Sequence, residues 1–539
     1  MKLSKIATLI TAASLSFSAA SEVDNNRYII KVDNNNKKVI KALAQKLGAK
    51  INLDGNGFFS ASFKGKALSQ VKSLLNNTNI QLIEVDQPRY LFSNTTNAKT
   101  LATETVYQDD SGDPTLTQVT PYAIYQSQAD QVSFNTNAGI KVCIIDSGLD
   151  ASATDFNWNN ISGDNDSGTG NWNENGGPHG THVAGTIAAS NNDIGVVGMA
   201  PDVDLHIIKV FNEDGWGYSS DLASAAQLCQ DAGANIISMS LGGSGSSTTE
   251  EAAFQSFADS GGLAVAAAGN DGNAIRSYPA GYPAVMMVGA VDGDNNIADF
   301  SQYPKCSTGF LFNQQENDRV CVEVSAGGVN TLSTYPEDMA TLASLSADNV
   351  SYESSAMENL GTVSKVSSYY IGTAEAVDSN ANGKVCLIDR GNNTFYEKVA
   401  NCESSGGVGA VIINNVSGVL TATLGTDNDT TIPAIGADFN DKSALLTAAS
   451  ISIDINTSDY GYMSGTSMAT PAVSGVAALV WSNHNQCSGE EIRNALIQSA
   501  LYPGTDGSAH DVYYGYGIIQ AANANQYLID NPCTGSSSL

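Results

Sequence analysis

Three residues far apart in this chain are of the types that together perform nucleophilic acyl transfer. Asp146 ends the apolar run V-C-I-I-D and precedes Ser147-Gly148, His179 lies in G-P-H-G-T-H-V-A-G-T, and Ser467 lies in S-G-T-S-M-A-T-P-A-V-S-G-V-A-A-L-V. A serine hydroxyl attacks a carbonyl only when an imidazole takes its proton, and a carboxylate must hold that imidazole in the right tautomer and stabilise the cation it becomes. One residue of each kind is present. Taken singly, each has an ordinary reading: a strand-end Asp caps a turn, a helix-start His packs, and a Ser among Gly, Thr and Ala is merely small. Their joint occurrence, each inside its own motif, points to one site.

The surrounding pattern supplies elements that can bring them together. From 140 to 300, short apolar runs (I-K-V-C-I-I-D, D-L-H-I-I-K-V-F, N-I-I-S-M-S-L, G-L-A-V-A-A-A-G-N) alternate with helical ones such as D-L-A-S-A-A-Q-L-C. Such alternation predicts an α/β fold, a mainly parallel sheet with helices on both faces. Ligands of such sheets collect at the carboxyl ends of the strands, where Asp146 emerges. Ser467 falls near the positive end of an apolar helix.

Composition narrows the class. Of 539 residues, 42% are hydrophobic and 15% charged, which excludes a disordered chain or a multi-span membrane protein. A net charge of −30 argues against nucleic acid as a partner. The charge is divided: residues 1–100 carry 14 basic and 6 acidic side chains, net +8, and the remainder 11 and 49, net −38. These two pieces should attract each other. Thirteen prolines against 51 glycines leave the loops weakly constrained.

Lys2 and Lys5, the apolar stretch Ile6 to Phe17, and Ser18-Ala19-Ala20 read as an export signal cleaved after Ala20, so a secreted protein is expected. No later stretch approaches the ~18 apolar residues of a membrane anchor. Export permits disulfides among the eight cysteines. Local closeness favours Cys306 with Cys321 and Cys386 with Cys402. That leaves Cys143 with Cys229 and Cys487 with Cys533, although a buried free thiol is the expectation for Cys143. Residues 27–92 read as a small β-α-β-α-β unit, followed to about Gln118 by a polar linker that suits a processing site.

I-I-D-S-G, H-G-T-H-V-A-G-T and G-T-S-M-A-T-P, in the order Asp, His, Ser, resemble the subtilisin-like serine proteases. The resemblance covers about residues 118–335 and 458–530. It implies a secreted serine endopeptidase acting through an acyl-enzyme on protein or peptide substrates. Asp146 would orient the base, His179 act as general base then acid, and Ser467 be the nucleophile, with His182 not the base. Asn270, closing A-A-A-G-N, and the Ser467 backbone N–H would bind the oxyanion. Substrate would lie extended between Gly215-Trp216-Gly217 and Ser240-Leu241-Gly242. With Ser277 at the pocket floor and Asp271 near the rim, broad cleavage favouring large apolar or aromatic residues is expected.

The resemblance further implies structural Ca²⁺, held by Gln118, Asp155, Ser190, Asn192, Ile194 and Val196. It assigns 1–20 to a signal peptide and 21–104 to an inhibitory propeptide that also aids folding. The catalytic domain would occupy 105–335 and 458–539, interrupted at 336–457 by an inserted unit that looks like a protease-associated domain, and the enzyme would act as a monomer. Two other readings share this fold, an inactive subtilase kept as a binding module and a surface scaffold. The intact three-residue set and Asn270 favour the protease. A lipase-like hydrolase would carry its nucleophile in G-x-S-x-G ahead of acid and His, whereas here Ser467 comes last.

Overall fold

A computed structural model describes residues 26–92, 108–110, 112–212, 214–309, 314–425, 428–503 and 510–534. The expected signal, 1–20, and most of the polar linker lie outside these residues. The centre is a seven-stranded parallel sheet, in the order Val324–Gly327, Val285–Val291, Leu263–Ala267, Ile236–Met239, Lys141–Asp146, Asp204–Lys209, Ile161–Asn165. Its inner strands are covered on both sides, which is why V-C-I-I and A-V-A-A read as unbroken apolar runs rather than alternating ones.

One face packs against the helices His179–Ala188, Thr466–Asn483, Gly489–Ser499 and Ala521–Asp530 through Val183, Val476, Leu496 and Leu528. The other packs against Ser219–Asp231 and Thr248–Asp259 through Leu222, Phe254 and Phe257. The expected α/β architecture is therefore the observed one. From Thr466 to Ser482 the longest helix is buried all round, so its sequence is apolar and small with no polar face.

Four disulfides close the structure: Cys143–Cys229, Cys306–Cys321, Cys386–Cys402 and Cys487–Cys533. The free thiol expected at Cys143 is thus corrected. Cys143 lies on a central strand facing the helix that carries Cys229, where two buried thiols meet. A cross-link closing 86 residues removes about 4–5 kcal/mol of chain entropy from the unfolded state. Cys306, Cys321 and His510 approach one another as metal ligands might, but both sulfurs belong to a disulfide.

The N-terminal unit is an antiparallel sheet in the order Lys50–Leu53, Phe58–Ser62, Arg27–Val32, Ile80–Val85, with the helices Asn34–Lys46 and Leu68–Leu74. It has one strand more than the pattern predicts. The short K-I-N-L segment is only partly buried and shows no alternation to announce it. Ile29 and Phe58 rest on Ala223 of the helix Ser219–Asp231, and two carboxylates of the unit cap helices of the body. Asp86 accepts from Ser219 Oγ (3.1 Å), Ser220 N (2.9 Å) and Ser220 Oγ (2.7 Å). Glu84 accepts from Thr248 N and Thr249 N, both at 2.9 Å. Anionic caps at helix N-termini complement the exposed N–H groups and the dipole.

Residues 340–458 form a separate pair of sheets with their own apolar clusters, around Ile453 and Val411 and around Val399 and Ile412. They sit between two body strands, Thr331–Thr334 and Tyr460–Met463, which pair antiparallel. The first and last long strands of the insertion, Ala340–Ala347 and Ile451–Ser458, also pair along their whole length.

Candidate active site

Asp146, Asn270 and Ser240 stand just at or beyond the carboxyl ends of three neighbouring sheet strands, and His179 and Ser467 open two helices that pack together. Asp146 is fully buried, its Oδ1 fixed by Ser147 N at 2.7 Å. His179 Nδ1 stands 2.9 and 3.0 Å from the two Asp146 oxygens. A carboxylate only accepts, so Nδ1 carries the hydrogen and Nε2 presents its lone pair. Nε2 is buried and has no hydrogen-bond partner.

Ser467 occupies the first turn of its helix, and its backbone is locked by a neighbour. Pro471 has no N–H to bond the Ser467 carbonyl four residues earlier, and that carbonyl accepts from Ser240 Oγ at 2.6 Å instead. The Ser467 hydroxyl bonds the Phe92 carbonyl and lies 3.1 Å from the Ser240 carbonyl. His182, by contrast, is buried with Nε2 donating to the Thr331 carbonyl at 2.9 Å, and burial pushes its pKa down to about 3. It is a neutral packing group, as the sequence reading holds.

Asn270 is oriented by its own oxygen, which accepts from Thr466 N at 2.9 Å and Thr466 Oγ1 at 2.8 Å. A Cβ placed on Gly465 would stand 2.9 Å from Asn270 Nδ2, 3.2 Å from the Phe92 oxygen and 3.5 Å from Ser467 N. These three groups therefore share one small space that only glycine leaves open.

The strand Pro88–Leu91 explains that carbonyl. It runs antiparallel between Trp216–Tyr218 and Leu241–Gly242, with Gly217 opposite Arg89 and Gly242 opposite Tyr90. Leu91 N donates to the Gly215 carbonyl at 2.9 Å. Gly215, Trp216, Gly217, Ser240, Leu241 and Gly242 thus flank a segment of the protein's own chain. A Cβ on Gly242 would lie 2.7 Å from both the Phe92 ring and Ser277 Oγ, so the ring and the Ser277 hydroxyl both lie close against Gly242. Sequence reasoning missed Phe92: it follows the short strand Pro88–Leu91, whose partners lie more than 120 residues away.

The six residues expected to hold calcium converge on one loop. The strand Gln118–Val119 pairs with Gly195–Val196, Gln118 Nε2 donates to the Ser190 carbonyl at 3.0 Å, and Asn192 Nδ2 donates to Asp155 at 3.2 Å. Asp155 also accepts from Val196 N at 2.8 Å, and burial raises its pKa to about 6. A Cβ on Gly195 would fall 2.1 Å from the Asp155 carboxylate. Carboxylate, amide and backbone oxygens around such a space suit a hard cation.

The parallel sheet thus carries the buried Asp146–His179 pair, with Ser467 in the first turn of a helix that packs against the one His179 opens. The model of the Subtilase family matches residues 137–364 and 377–517, and the chain belongs to that family. It is a subtilisin-like serine endopeptidase. It is 41% identical over 231 residues to Subtilisin DY of Bacillus licheniformis, which spans 42% of this chain and 78% of that one. It is 36% identical over 249 residues to an alkaline protease of Alkalihalobacillus alcalophilus, of which it spans 59%. Among solved structures, a psychrophilic subtilisin-like protease, Apa1, from the Antarctic psychrotroph Pseudoalteromonas sp. AS-11 is 37% identical. That match has a TM-score of 0.64 and covers 78% of this chain and 100% of that one.

Proposed function

We propose that the chain is a secreted protease precursor whose N-terminal unit is an inhibitory propeptide, cut from the body by the enzyme's own Asp146, His179 and Ser467. The observation that supports this is the Phe92 carbonyl beside Ser467 Oγ, within the Asn270 pocket, at the end of a strand paired on both sides. Ser467 Oγ attacks the Phe92 carbonyl carbon while His179 Nε2 takes its proton. The oxygen, now negative, is held by Asn270 Nδ2 and Ser467 N. Collapse breaks the bond to residue 93, whose nitrogen receives the proton from His179, and water then releases the acyl group by the reverse sequence.

The same groove takes other protein chains, favouring a large apolar or aromatic residue at the Phe92 position. Buried caps and ion pairs keep the cut unit bound, so it inhibits until degraded. This reading moves the end of the propeptide from 104 to 92. Mass analysis and terminal sequencing of the maturing protein test it. A first-released fragment ending at Phe92 is expected, and a first cut elsewhere would remove the groove-bound strand from the mechanism. Secretion accords with the N-terminal pattern and with the absence, among the described residues, of any helix long and apolar enough to cross a membrane.

Calcium at Gln118, Asp155, Ser190, Asn192, Ile194 and Val196 would tie the loop 190–196 to the strand at 118 and contribute no reacting group. Chelation is therefore expected to lower Tm and hasten autolysis while initial turnover persists, with added Ca²⁺ reversing both. Asp155→Ala and Asn192→Ala should abolish that response. A calcium-dependent Tm that survives both substitutions would place the ion elsewhere.

A further inference from the structure

Arg89, the fourth residue counted back from the bond after Phe92, is fully buried, which is exceptional for an arginine. Its Nε donates to Glu250 Oε1 at 2.9 Å, and its Nη2 donates to Glu250 Oε2 and, at 3.1 Å, to the Gly245 carbonyl. Nη1 donates to the Pro88 carbonyl at 2.9 Å. Planar guanidinium and carboxylate thus meet fork to fork, a geometry that lysine cannot reproduce.

Every partner but the Pro88 carbonyl belongs to the body of the protease. Glu250 lies in the first turn of the helix Thr248–Asp259 and is itself fully buried. Its Oε2 accepts from the Tyr282 hydroxyl at 2.7 Å, and that hydroxyl also accepts from Ser247 N at 2.7 Å. Burial, with Glu250 beside it, holds the Tyr282 phenol far above its ordinary pKa, so it remains a donor. The Tyr282 contact lies wholly within the body, so it still orients the carboxylate after the N-terminal unit, whose Glu84 bonds Ser247 Oγ, Thr248 N and Thr249 N in the same turn, has gone. The Pro88 carbonyl is main chain, which any bound substrate supplies. Tyr90, one position on, is 41% exposed and selects nothing.

We propose that Glu250, Tyr282 and the Gly245 carbonyl form an arginine-selective subsite of the protease, reading the side chain of the fourth residue before the cleaved bond. It rests on the reading of Pro88–Phe92 as a substrate-like strand and adds a second specificity element to the Phe92 recess. Substrates carrying Arg-x-x-Phe, or Arg-x-x followed by another large apolar residue, are the favoured class. An apolar fourth residue would cover Glu250 without supplying a partner, and leaving a buried charge unpaired is costly.

The test uses the enzyme matured from the full chain and peptides X-Ala-Ala-Phe-p-nitroanilide with X as Arg, Lys, citrulline or Leu. The expected kcat/KM for Arg exceeds that for citrulline and Leu by roughly 10²-fold, with Lys between. Citrulline keeps the shape and loses the charge, so the wild-type enzyme alone decides the matter even if variants fail to mature. Glu250→Gln should lower kcat/KM for the Arg peptide at least about tenfold more than for the Leu peptide. Equal cleavage of all four after Phe would overturn the subsite, making the Arg89–Glu250 pair a fastening between propeptide and body, and would leave the proposed function standing. Failure to cleave any of them after Phe would overturn both.

Discussion

Ser467→Ala is expected to yield a folded, full-length precursor that neither cuts itself after Phe92 nor hydrolyses casein. The proposed nucleophile is the Ser467 hydroxyl, with the Phe92 carbonyl already hydrogen-bonded to it. Alanine removes one oxygen from a fully buried position and disturbs no backbone bond there, since the Ser240 hydroxyl bonds the Ser467 carbonyl, which remains. In subtilisin itself, loss of the nucleophile costs about 10⁶ in kcat, the residue coming from the oxyanion pocket and binding. A loss of similar size is expected here, read as residual hydrolysis of a Phe-p-nitroanilide peptide and as intact mass after prolonged incubation. Cleavage after Phe92 at the wild-type rate would show that another protease, or another group, makes the cut.

Asn270→Ala should lower kcat by roughly 10²–10³ with KM little changed, the range known for the corresponding donor in subtilisin. The amide N–H acts on charge that appears only as the carbonyl becomes tetrahedral, so ground-state binding hardly registers its loss. Two hydrogen bonds from Thr466 to the Asn270 oxygen disappear as well, and some drop in Tm accompanies the rate effect. Asn270→Asp separates these contributions: it keeps an oxygen for Thr466 but puts a carboxylate where the oxyanion forms. It should be at least as slow as the alanine variant while retaining more stability. A raised KM with unchanged kcat in the alanine variant would assign Asn270 to substrate binding instead.

The residues proposed to react were legible because each sits in a local pattern of its own. Asp146 ends a buried strand, His179 opens a helix, and Ser467 follows Gly465, where a Cβ would crowd Asn270 Nδ2. Those patterns are written in consecutive residues. Arg89 and Glu250 are separated by 161 positions, and neither has a local pattern that calls for the other. The same holds for Phe92 and Ser467, joined across 375 positions. Cys143 misled for a related reason, since a cysteine within an apolar strand reads as core until the helix bearing Cys229 is laid across it.

The paired ends of the insertion have a mechanical meaning for the nucleophile. Thr331–Thr334 and Tyr460–Met463 are held in register, and Gly465 follows that hairpin by two residues and Ser467 by four. Because Ala340–Ala347 and Ile451–Ser458 zip together, the folded insertion returns the chain nearly to where it left, and the peptidase meets it as it would a tight turn. Were the insertion to melt, the same hairpin would have to close a loop of about 120 flexible residues. Relative to a turn of about four, that costs on the order of 3 kcal/mol. The insertion's folding free energy and the anchoring of Ser467 are therefore linked functions, and loosening a unit that holds no reacting atom loosens the hinge from which the nucleophile hangs.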